Sequence, residues 1–253
     1  MESNPVIDAM LQRKSIRKYQ KKPVPDEVIA AVVRAGQQAP FAGQIYSVLL
    51  SRKKRNPFGA PLLFTICIDL HRLELIMARR KWTVISNDLS NLVFGFQDAS
   101  LMAENMVMAG ESLGLGSCFL GAWPSMADKI AKRYNLPPRV FPVVGLVMGY
   151  PAENPPPRPR YPLEFTLFED TYPDLTDEMV AQAMKVMDEG YLAQGYYRKL
   201  RAIIPLEGER EETFTYDDYS WTEHISRKWG QWDPSPKHLL EQFAERGFKI
   251  GEE

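Results

Sequence analysis

Two short segments carry clustered cations of the kind that bind phosphate. The first, R-K-S-I-R at Arg13–Arg17, places three cations and a hydroxyl within five residues. The second places Arg158 and Arg160 in alternation with prolines, which stiffens the backbone and lowers the entropy lost on binding. Guanidinium, ammonium and hydroxyl donors can together surround a phosphate dianion. Either cluster alone is also typical of a solvated basic turn, so that alternative stays open.

Two further segments are rich in small residues and could lie against a flat ligand. One is A-P-F-A-G-Q at Ala39–Gln44, and the other is G-L-G-S-C-F-L-G-A at Gly114–Ala122. Small residues let a backbone approach a ligand closely, which bulky side chains prevent. A glycine-rich turn is also the usual end of a helix, so neither segment alone predicts a binding site.

The three histidines offer little for catalysis or metal binding. His71, His224 and His238 lack the spacing of a metal site and have no carboxylate motif beside them. We therefore expect a structural or solvent-facing role for each, no bound metal and no catalytic residue. Cys67 and Cys118 are too few for a disulfide framework and are expected to be buried as small hydrophobic residues.

The composition is that of a globular protein without a dominant charge. Among 253 residues, 45% are hydrophobic and 25% charged, and the net charge of −1 predicts no general attraction to nucleic acid. No apolar run approaches the roughly 18 residues of a membrane-spanning helix. The first residues also lack the apolar stretch of a signal peptide. We expect a cytoplasmic protein without nucleic-acid or membrane partners.

The hydrophobic pattern predicts alternating helices and strands up to residue 149. Helices are predicted over 4–13, Asp26–Gln37, Asn87–Leu113 and Ser125–Tyr134, and strands over Tyr46–Leu50, Leu62–Ile68, Ser117–Leu120 and Phe141–Met148. The helix over Asn87–Leu113 is about 40 Å long and apolar on most faces, so it must be buried on nearly every side. A subunit interface buries such a helix more easily than a monomer does, which predicts a homodimer.

The character of the chain changes after Gly149. The segment Y-P-A-E-N-P-P-P-R-P-R-Y-P is proline-rich and must be extended. Helical patterns follow over Asp177–Leu192, Trp221–Trp229 and Lys237–Arg246, the last with Ser235 as N-cap and Gly247 as its end. We divide the chain into a core, 1–165, and a helical extension, 166–253, that packs on the core or the partner subunit.

Four segments, in this order, resemble the FMN-dependent nitroreductase family: RKSIRKY, APFAGQIYS, ESLGLGSCFLGAW and VVGLVMGYPAENPPPRPRYP. The resemblance covers residues 9–165 and, loosely, the tail through YSWTEHI at Tyr219–Ile225. It is closest to the oxygen-insensitive NADPH nitroreductase and flavin reductase branch with a C-terminal extension. It implies an α+β fold, a central mixed sheet flanked by helices, and an intertwined homodimer with one FMN per subunit at the interface.

The resemblance also implies a cofactor site. The FMN phosphate would bind the cationic segments, at Arg13, Lys14, Ser15, Arg17, Arg158 and Arg160. A loop from the partner subunit would lie beside the isoalloxazine and ribityl chain, with Pro40, Phe41, Ala42 and Gln44. A strand end would lie against the ring and direct a backbone N–H at flavin N5, with Leu120, Gly121 and Ala122. Relatives often carry a polar residue at the position of Ala42, so a hydrogen bond to that ring edge is not implied.

The function implied by the resemblance is hydride transfer from NAD(P)H to nitroaromatic, quinone or flavin acceptors by a ping-pong mechanism. This is the cofactor's chemistry, so a missing catalytic triad is expected. The alternatives are a flavin reductase that supplies reduced FMN to a partner, and a flavin-binding redox sensor or carrier without catalysis. Preference between NADPH and NADH stays open, because the basic tail residues Arg198, Lys199, Arg201 and Arg210 are equally typical of a solvated turn.

Overall fold

The computed structural model describes residues 4–53, 55–233 and 235–251 and separates them into two compact units. The first unit holds the described residues up to Pro155 together with those from Ser235 onward. The second unit holds the described residues from Pro156 to Asp233. This division differs from the one predicted at residue 165, because the end of the chain belongs to the first unit rather than to a continuous tail.

The first unit contains a four-stranded sheet in the order β1-β2-β4-β3. The strands are β1 (Tyr46–Ser51), β2 (Leu62–Asp69), β3 (Gly116–Leu120) and β4 (Val140–Gly149). All three pairings are antiparallel, and among the described residues a parallel contact occurs only as an isolated bridge between Ser15 and Ser117. The expectation of a mixed sheet is therefore corrected. The helices between β2 and β3 do not join neighbouring strands, because β4 lies between them and runs the opposite way.

Every residue of β2 is buried, as its almost continuous apolar sequence predicts. Alternate side chains of β2 enter two hydrophobic clusters: Phe64 and Ile66 pack in the larger one, and Leu63 packs in the smaller one with Cys118 and Trp123. The sheet is thus covered on both faces, as predicted. Cys67 and Cys118 are both buried free thiols, which confirms the expectation for them.

Five helices of the first unit precede the proline-rich segment. They are α1 (Pro5–Gln12), α2 (Asp26–Gln37), α3 (Leu70–Arg79), α4 (Asp88–Ser112) and α5 (Ala127–Tyr134). α3 was not predicted. It begins where Asp69 accepts a hydrogen bond from the Arg72 N–H. α5 begins later than predicted, because Pro124–Met126 form a 3-10 turn in which the Ser125 hydroxyl donates to the Ala122 carbonyl.

Helix α4 packs across the sheet as one continuous helix. Asn87 caps it by accepting a hydrogen bond from the Ser90 N–H. Glycines let it approach its neighbours closely: a Cβ at Gly95 would come within 2.7 Å of Ile68. The opposite face is exposed in the single chain, so burial on nearly every side remains a prediction for the dimer. The exposed apolar residues of that face are Leu89, Val93, Phe94 and Leu101.

The second unit is helical, with α6 (Asp177–Ala193), α7 (Tyr196–Leu200) and α8 (Trp221–Gly230) after a 3-10 turn at Leu163–Phe165. Its core is a cluster of Met187 and three tyrosines, Tyr191, Tyr197 and Tyr219. Buried Arg227 forms ion pairs with Glu212 and Glu223. The hydrogen bonds from Arg227 hold the pKa of Glu212 at about 2.

The closing helix α9 (Lys237–Glu245) belongs to the first unit. The Ser235 hydroxyl accepts a hydrogen bond from the Lys237 N–H at 3.3 Å, and Gly247 follows the helix with φ of +80°. Phe243 lies 4.3 Å from Phe141 of β4, ring centre to ring centre. Aromatic packing of this kind explains why the end of the chain joins the core. Of the helices that the structure describes, none combines the length and apolarity needed to cross a bilayer.

Candidate functional site

The segment R-K-S-I-R lies along the edge of the sheet at β3. The Ile16 N–H donates to the Ser117 carbonyl at 2.8 Å, and the Ile16 side chain is buried against Gly116. A Cβ at Gly116 would come within 2.5 Å of Ile16, so only glycine permits this contact. Neighbouring residues of an extended chain point to opposite sides. With Ile16 turned inward, Ser15 and Arg17 are turned away from the core.

The end of this segment is fixed by residues that follow β4. Glu153 Oε1 accepts hydrogen bonds from the N–H groups of Arg17 at 2.6 Å and Lys18 at 3.1 Å. The Arg17 guanidinium lies over the exposed ring of Phe58, 5.9 Å from its centre. Tyr19 donates its hydroxyl to the Ile16 carbonyl at 2.5 Å, and burial raises the pKa of that phenol, so it stays a neutral donor.

The side chains at the start of the segment are not committed to protein acceptors. Arg13, Lys14 and Ser15 are half-buried, and within the described ranges their side chains form no hydrogen bond or ion pair. Two buried polar atoms near them also lack a described partner, the Ser117 hydroxyl and Glu111 Oε1. A buried polar atom without a partner costs roughly 1–3 kcal/mol. The free donors and the unpaired Ser117 hydroxyl fit the terminal phosphate of FMN, whereas the Glu111 carboxyl does not.

The loop of Pro40, Phe41, Ala42 and Gln44 is exposed but firmly anchored. Asp98 of α4, which is only 1% exposed, accepts the N–H groups of Ala42 at 2.6 Å and Ile45 at 2.9 Å. The same carboxylate accepts the Gly43 N–H at 3.1 Å. One buried carboxylate therefore holds the loop backbone while its side chains face outward.

Gln44 adopts a left-handed conformation with φ of +50°. Arg72 of α3 supports this turn by donating to the carbonyls of Gln44, at 3.1 Å, and Tyr46. Phe41 is 52% exposed, which leaves a large aromatic ring facing outward from a rigid loop. Such a ring is available to a ligand or to a second subunit.

The backbone at the end of β3 is accessible from solvent. Gly121 and Ala122 are exposed, Leu120 is half-buried, and a Cβ added at Gly121 would meet nothing within 4 Å. The next residue, Trp123, is buried, and its indole N–H donates to Thr65 at 3.2 Å. A rigid indole therefore supports a small-residue turn that a flat ring could approach.

Arg158 and Arg160 lie in the second unit and have different surroundings. The Arg158 guanidinium donates to Gln194 at 2.5 Å and lies over the Tyr196 ring at 4.0 Å. Arg160 is exposed, and its Nη1 atom donates hydrogen bonds to the carbonyls of Arg158 and Pro159, at 3.1 Å and 3.0 Å. Arg158 is thus largely used in packing, and Arg160 keeps other donors for a ligand.

Arg198, Lys199 and His224 of the tail have structural partners. Arg198 pairs with Asp217, and Lys199 donates to the Gln194 carbonyl. His224 stacks on Tyr197 and shares a hydrogen bond with the Tyr219 hydroxyl, and burial lowers its pKa. Within the described part of the chain, no cluster of three metal-ligating side chains occurs.

Within the first unit, the structure places Ser15 beside Ser117 and fixes the Ala42 loop to α4. Sequence reasoning missed Asp98 and Glu153, which hold the loop and the R-K-S-I-R segment, and Glu111, whose carboxyl oxygen Oε1 is unpaired. A signal existed for Asp98, because a carboxylate on the core-facing side of an apolar helix needs buried partners. No comparable pattern marks Glu111 or Glu153.

Comparison with known proteins identifies the class of protein to which this site belongs. The nitroreductase family model matches residues 10–150. The FMN reductase (NADPH) of Bacillus subtilis is 30% identical, with 97% of this chain and 98% of the relative aligned. The oxygen-insensitive NADPH nitroreductase of Salmonella typhimurium is 26% identical, with 88% of this chain and 90% of the relative aligned.

A solved structure shows the same fold. The structure of the hypothetical oxidoreductase YcnD from Bacillus subtilis matches with a TM-score of 0.83 at 25% identity, and covers 99% of this chain and 100% of its own. More than half of the sequence therefore matches the family model, and the whole fold matches a structure of similar length. The chain belongs to the nitroreductase family.

Proposed function

We propose that this protein is an FMN-dependent oxidoreductase that transfers hydride from NAD(P)H to nitroaromatic, quinone or flavin acceptors by a ping-pong mechanism. The observation that carries the proposal is the set of uncommitted donors at Arg13, Lys14 and Ser15 beside the unpaired Ser117 hydroxyl. The names of the aligned relatives, an FMN reductase and an NADPH nitroreductase, support the same chemistry.

The chain's own contribution is to bind and position FMN, which when bound accepts and passes on the hydride. Arg13, Lys14, Ser15 and Arg17 would bind its phosphate, and the family resemblance adds Arg158 and Arg160 to this set of residues. Charge-assisted hydrogen bonds of this kind are roughly twice as strong as neutral ones.

The ring is positioned by backbone rather than by acid–base side chains. The open turn at Leu120, Gly121 and Ala122 would hold the ring and offer it a backbone N–H. The loop of Pro40, Phe41, Ala42 and Gln44, which Asp98 anchors, would bind the flavin of the partner subunit. A preformed loop loses little entropy on binding, which favours tight retention of the flavin.

The protein acts as a homodimer in this proposal. None of the side chains of α1 is buried, and Val6, Met10 and Leu11 are more than half exposed. The outward face of α4 is apolar as well. Two helices with uncovered apolar faces in one chain are best covered by a second copy. We place the dimer in the cytoplasm, with small molecules as its other partners.

The test is stopped-flow reduction of the purified protein by NADPH and by NADH, followed by a panel of acceptors. We expect the nucleotide to bleach the flavin in the absence of acceptor, and each acceptor to restore the colour in a separate step. A flavin that neither nucleotide reduces would instead identify a carrier or sensor.

A flavin reductase is the second candidate, because the aligned Bacillus subtilis relative is named an FMN reductase. The two activities differ in whether FMN leaves during turnover. Gel filtration immediately after reduction separates them: reduced FMN elutes with the protein of a nitroreductase and apart from the protein of a flavin reductase.

A further inference from the structure

A carboxyl group lies among the cations of the proposed phosphate site. Glu111 lies near the end of α4 and is half-buried, and its Oε1 atom is buried without a hydrogen-bond partner among the described residues. Lys14 and Arg13 are the opposing charges that lower its pKa, but neither forms an ion pair with it within the described ranges. An acid is unexpected in a site for a dianion, because like charges repel at close range.

The other charged group that acts on Glu111 is exposed Glu104, seven residues earlier on the same helix. Burial has the largest effect and raises the pKa of Glu111 above its ordinary value, although Lys14 and Arg13 oppose it. The neutral form of this carboxyl is therefore more accessible than that of an exposed glutamate. A neutral carboxyl also differs from a carboxylate in that it donates a hydrogen bond.

We propose that Glu111 takes up a proton when the FMN phosphate binds beside Arg13 and Lys14. This inference rests on the proposed function, because it requires the phosphate to occupy that segment. The observation behind it is geometric: Glu111 has an unpaired buried carboxyl oxygen near the end of α4, and the chain leads from there into β3, where Ser117 pairs with Ser15 beside the two cations. Glu111 then acts as a specificity-determining residue that makes phosphate binding dependent on pH.

The sign of the effect follows from charge. A bound phosphate carries about −1.5 to −2 charges and disfavours a second anion beside it, so the pKa of Glu111 is higher with FMN than without it. Binding then takes up protons at pH values between the two pKa values. By linkage, FMN affinity falls as pH rises through that interval, by at most about tenfold per pH unit for one proton.

The experiment is calorimetric titration of flavin-depleted protein with FMN between pH 5.5 and 8, in buffers of different ionisation enthalpy. The buffer dependence of the heat counts the protons that enter or leave. Wild type is compared with Glu111→Gln, and the difference cancels the protonation of the phosphate itself, which both proteins share. Glu104→Gln is the matched control, because it removes an exposed carboxylate from the same helix.

We expect wild type and Glu104→Gln to take up more protons than Glu111→Gln, by up to about one per chain. The ratio of FMN affinities, Glu111→Gln over wild type, rises with pH. With riboflavin, which lacks the phosphate, wild type and Glu111→Gln take up equal numbers of protons. Equal proton counts for wild type and Glu111→Gln with FMN would overturn the inference, as would the same difference between them with riboflavin. Failure of wild type to bind FMN at all would instead contradict the proposed function.

Discussion

Arg158 and Arg160 are two residues apart, but their side chains have different partners. Arg158 is held by Gln194 and Tyr196, whereas Arg160 contacts only carbonyls of its own segment among the described residues. We expect Arg160→Ala to weaken FMN binding about 10- to 150-fold, which is the loss of one charge-assisted bond of roughly 1.5–3 kcal/mol. Lysine restores part of the affinity, because it keeps the charge but loses the planar fork.

Fluorescence titration with FMN and riboflavin measures this change, and urea unfolding checks that stability is kept. Arg158→Ala is the comparison: we expect it to destabilise the second unit, because it leaves Gln194 and Tyr196 without their partner. If Arg160→Ala bound FMN as tightly as wild type, while its nucleotide KM rose sharply, Arg160 would belong to the nucleotide site.

Asp98 offers a second test on single side chains. Its carboxylate accepts three backbone N–H groups of one loop. We expect Asp98→Ala to lower the free energy of unfolding by about 2–4 kcal/mol and to weaken flavin binding, because the loop loses its anchor. Asp98→Asn keeps one acceptor and costs less. Thermal unfolding and FMN titration are the measurements, with Glu104→Gln on the same helix as control. A stable Asp98→Ala protein with unchanged FMN affinity would show that the loop needs no anchor.

Single residues also show where sequence reasoning stops. The position of the R-K-S-I-R segment just after a helix was predictable, because helix ends can be read from the local sequence. The role of Glu153 was not, since its carboxylate meets the Arg17 N–H across 136 positions of sequence. Long-range partners of this kind depend on the folded sheet, not on spacing in the sequence.

At the scale of elements, Arg139 joins parts of the first unit that are distant in sequence. It precedes β4 with φ of +67°, and its guanidinium bonds Glu74 of α3, Asp88 at the start of α4 and the Gly247 carbonyl. We expect Arg139→Met to cost about 1–3 kcal/mol of stability at pH 7, because a half-buried ion pair loses one partner.

This loss depends on pH with a defined sign. Burial alone would raise the pKa of Asp88, but hydrogen bonds from Arg139 lower it below its ordinary 3.8. The ion pair therefore stabilises the fold above about that pH, and its contribution is lost as pH falls through the lower pKa of the folded state. Urea unfolding at pH 7 and pH 3 should show the wild type–variant difference shrinking in acid. Arg52→Met, which removes an exposed pair with Asp26, is the control. A difference that stayed constant down to pH 3 would contradict this account.

Most elements were predictable because their hydrophobic periods are regular. β2 and α4 show this best: a continuous apolar run gave a fully buried strand, and an uninterrupted apolar segment gave a helix over Asp88–Ser112. The antiparallel order was not predictable, because the hydrophobic pattern of a strand does not indicate which strands pair with it. α3 was missed because much of its apolar surface, at Leu75 and Ile76, is exposed.

At the scale of the whole molecule, the uncovered faces of α1 and α4 predict a stable dimer. We expect Met10→Glu or Leu11→Glu to shift the protein toward monomer and to reduce flavin retention, because a charge at an apolar interface is costly to bury. Sedimentation velocity at low micromolar concentration measures the mass, with Lys129→Glu at an exposed position of α5 as control. A wild type that sedimented as a flavin-bound monomer would refute the dimer.

The identity of the bound flavin tests the central claim most directly. The purified protein is denatured, and the released cofactor is separated by chromatography and identified by mass. We predict one FMN per chain, because the free donors at Arg13, Lys14 and Ser15 fit a terminal phosphate, and the described strands show no dinucleotide-binding glycine motif after them. Recovery of FAD, or of no flavin even after reconstitution with FMN, would contradict the account.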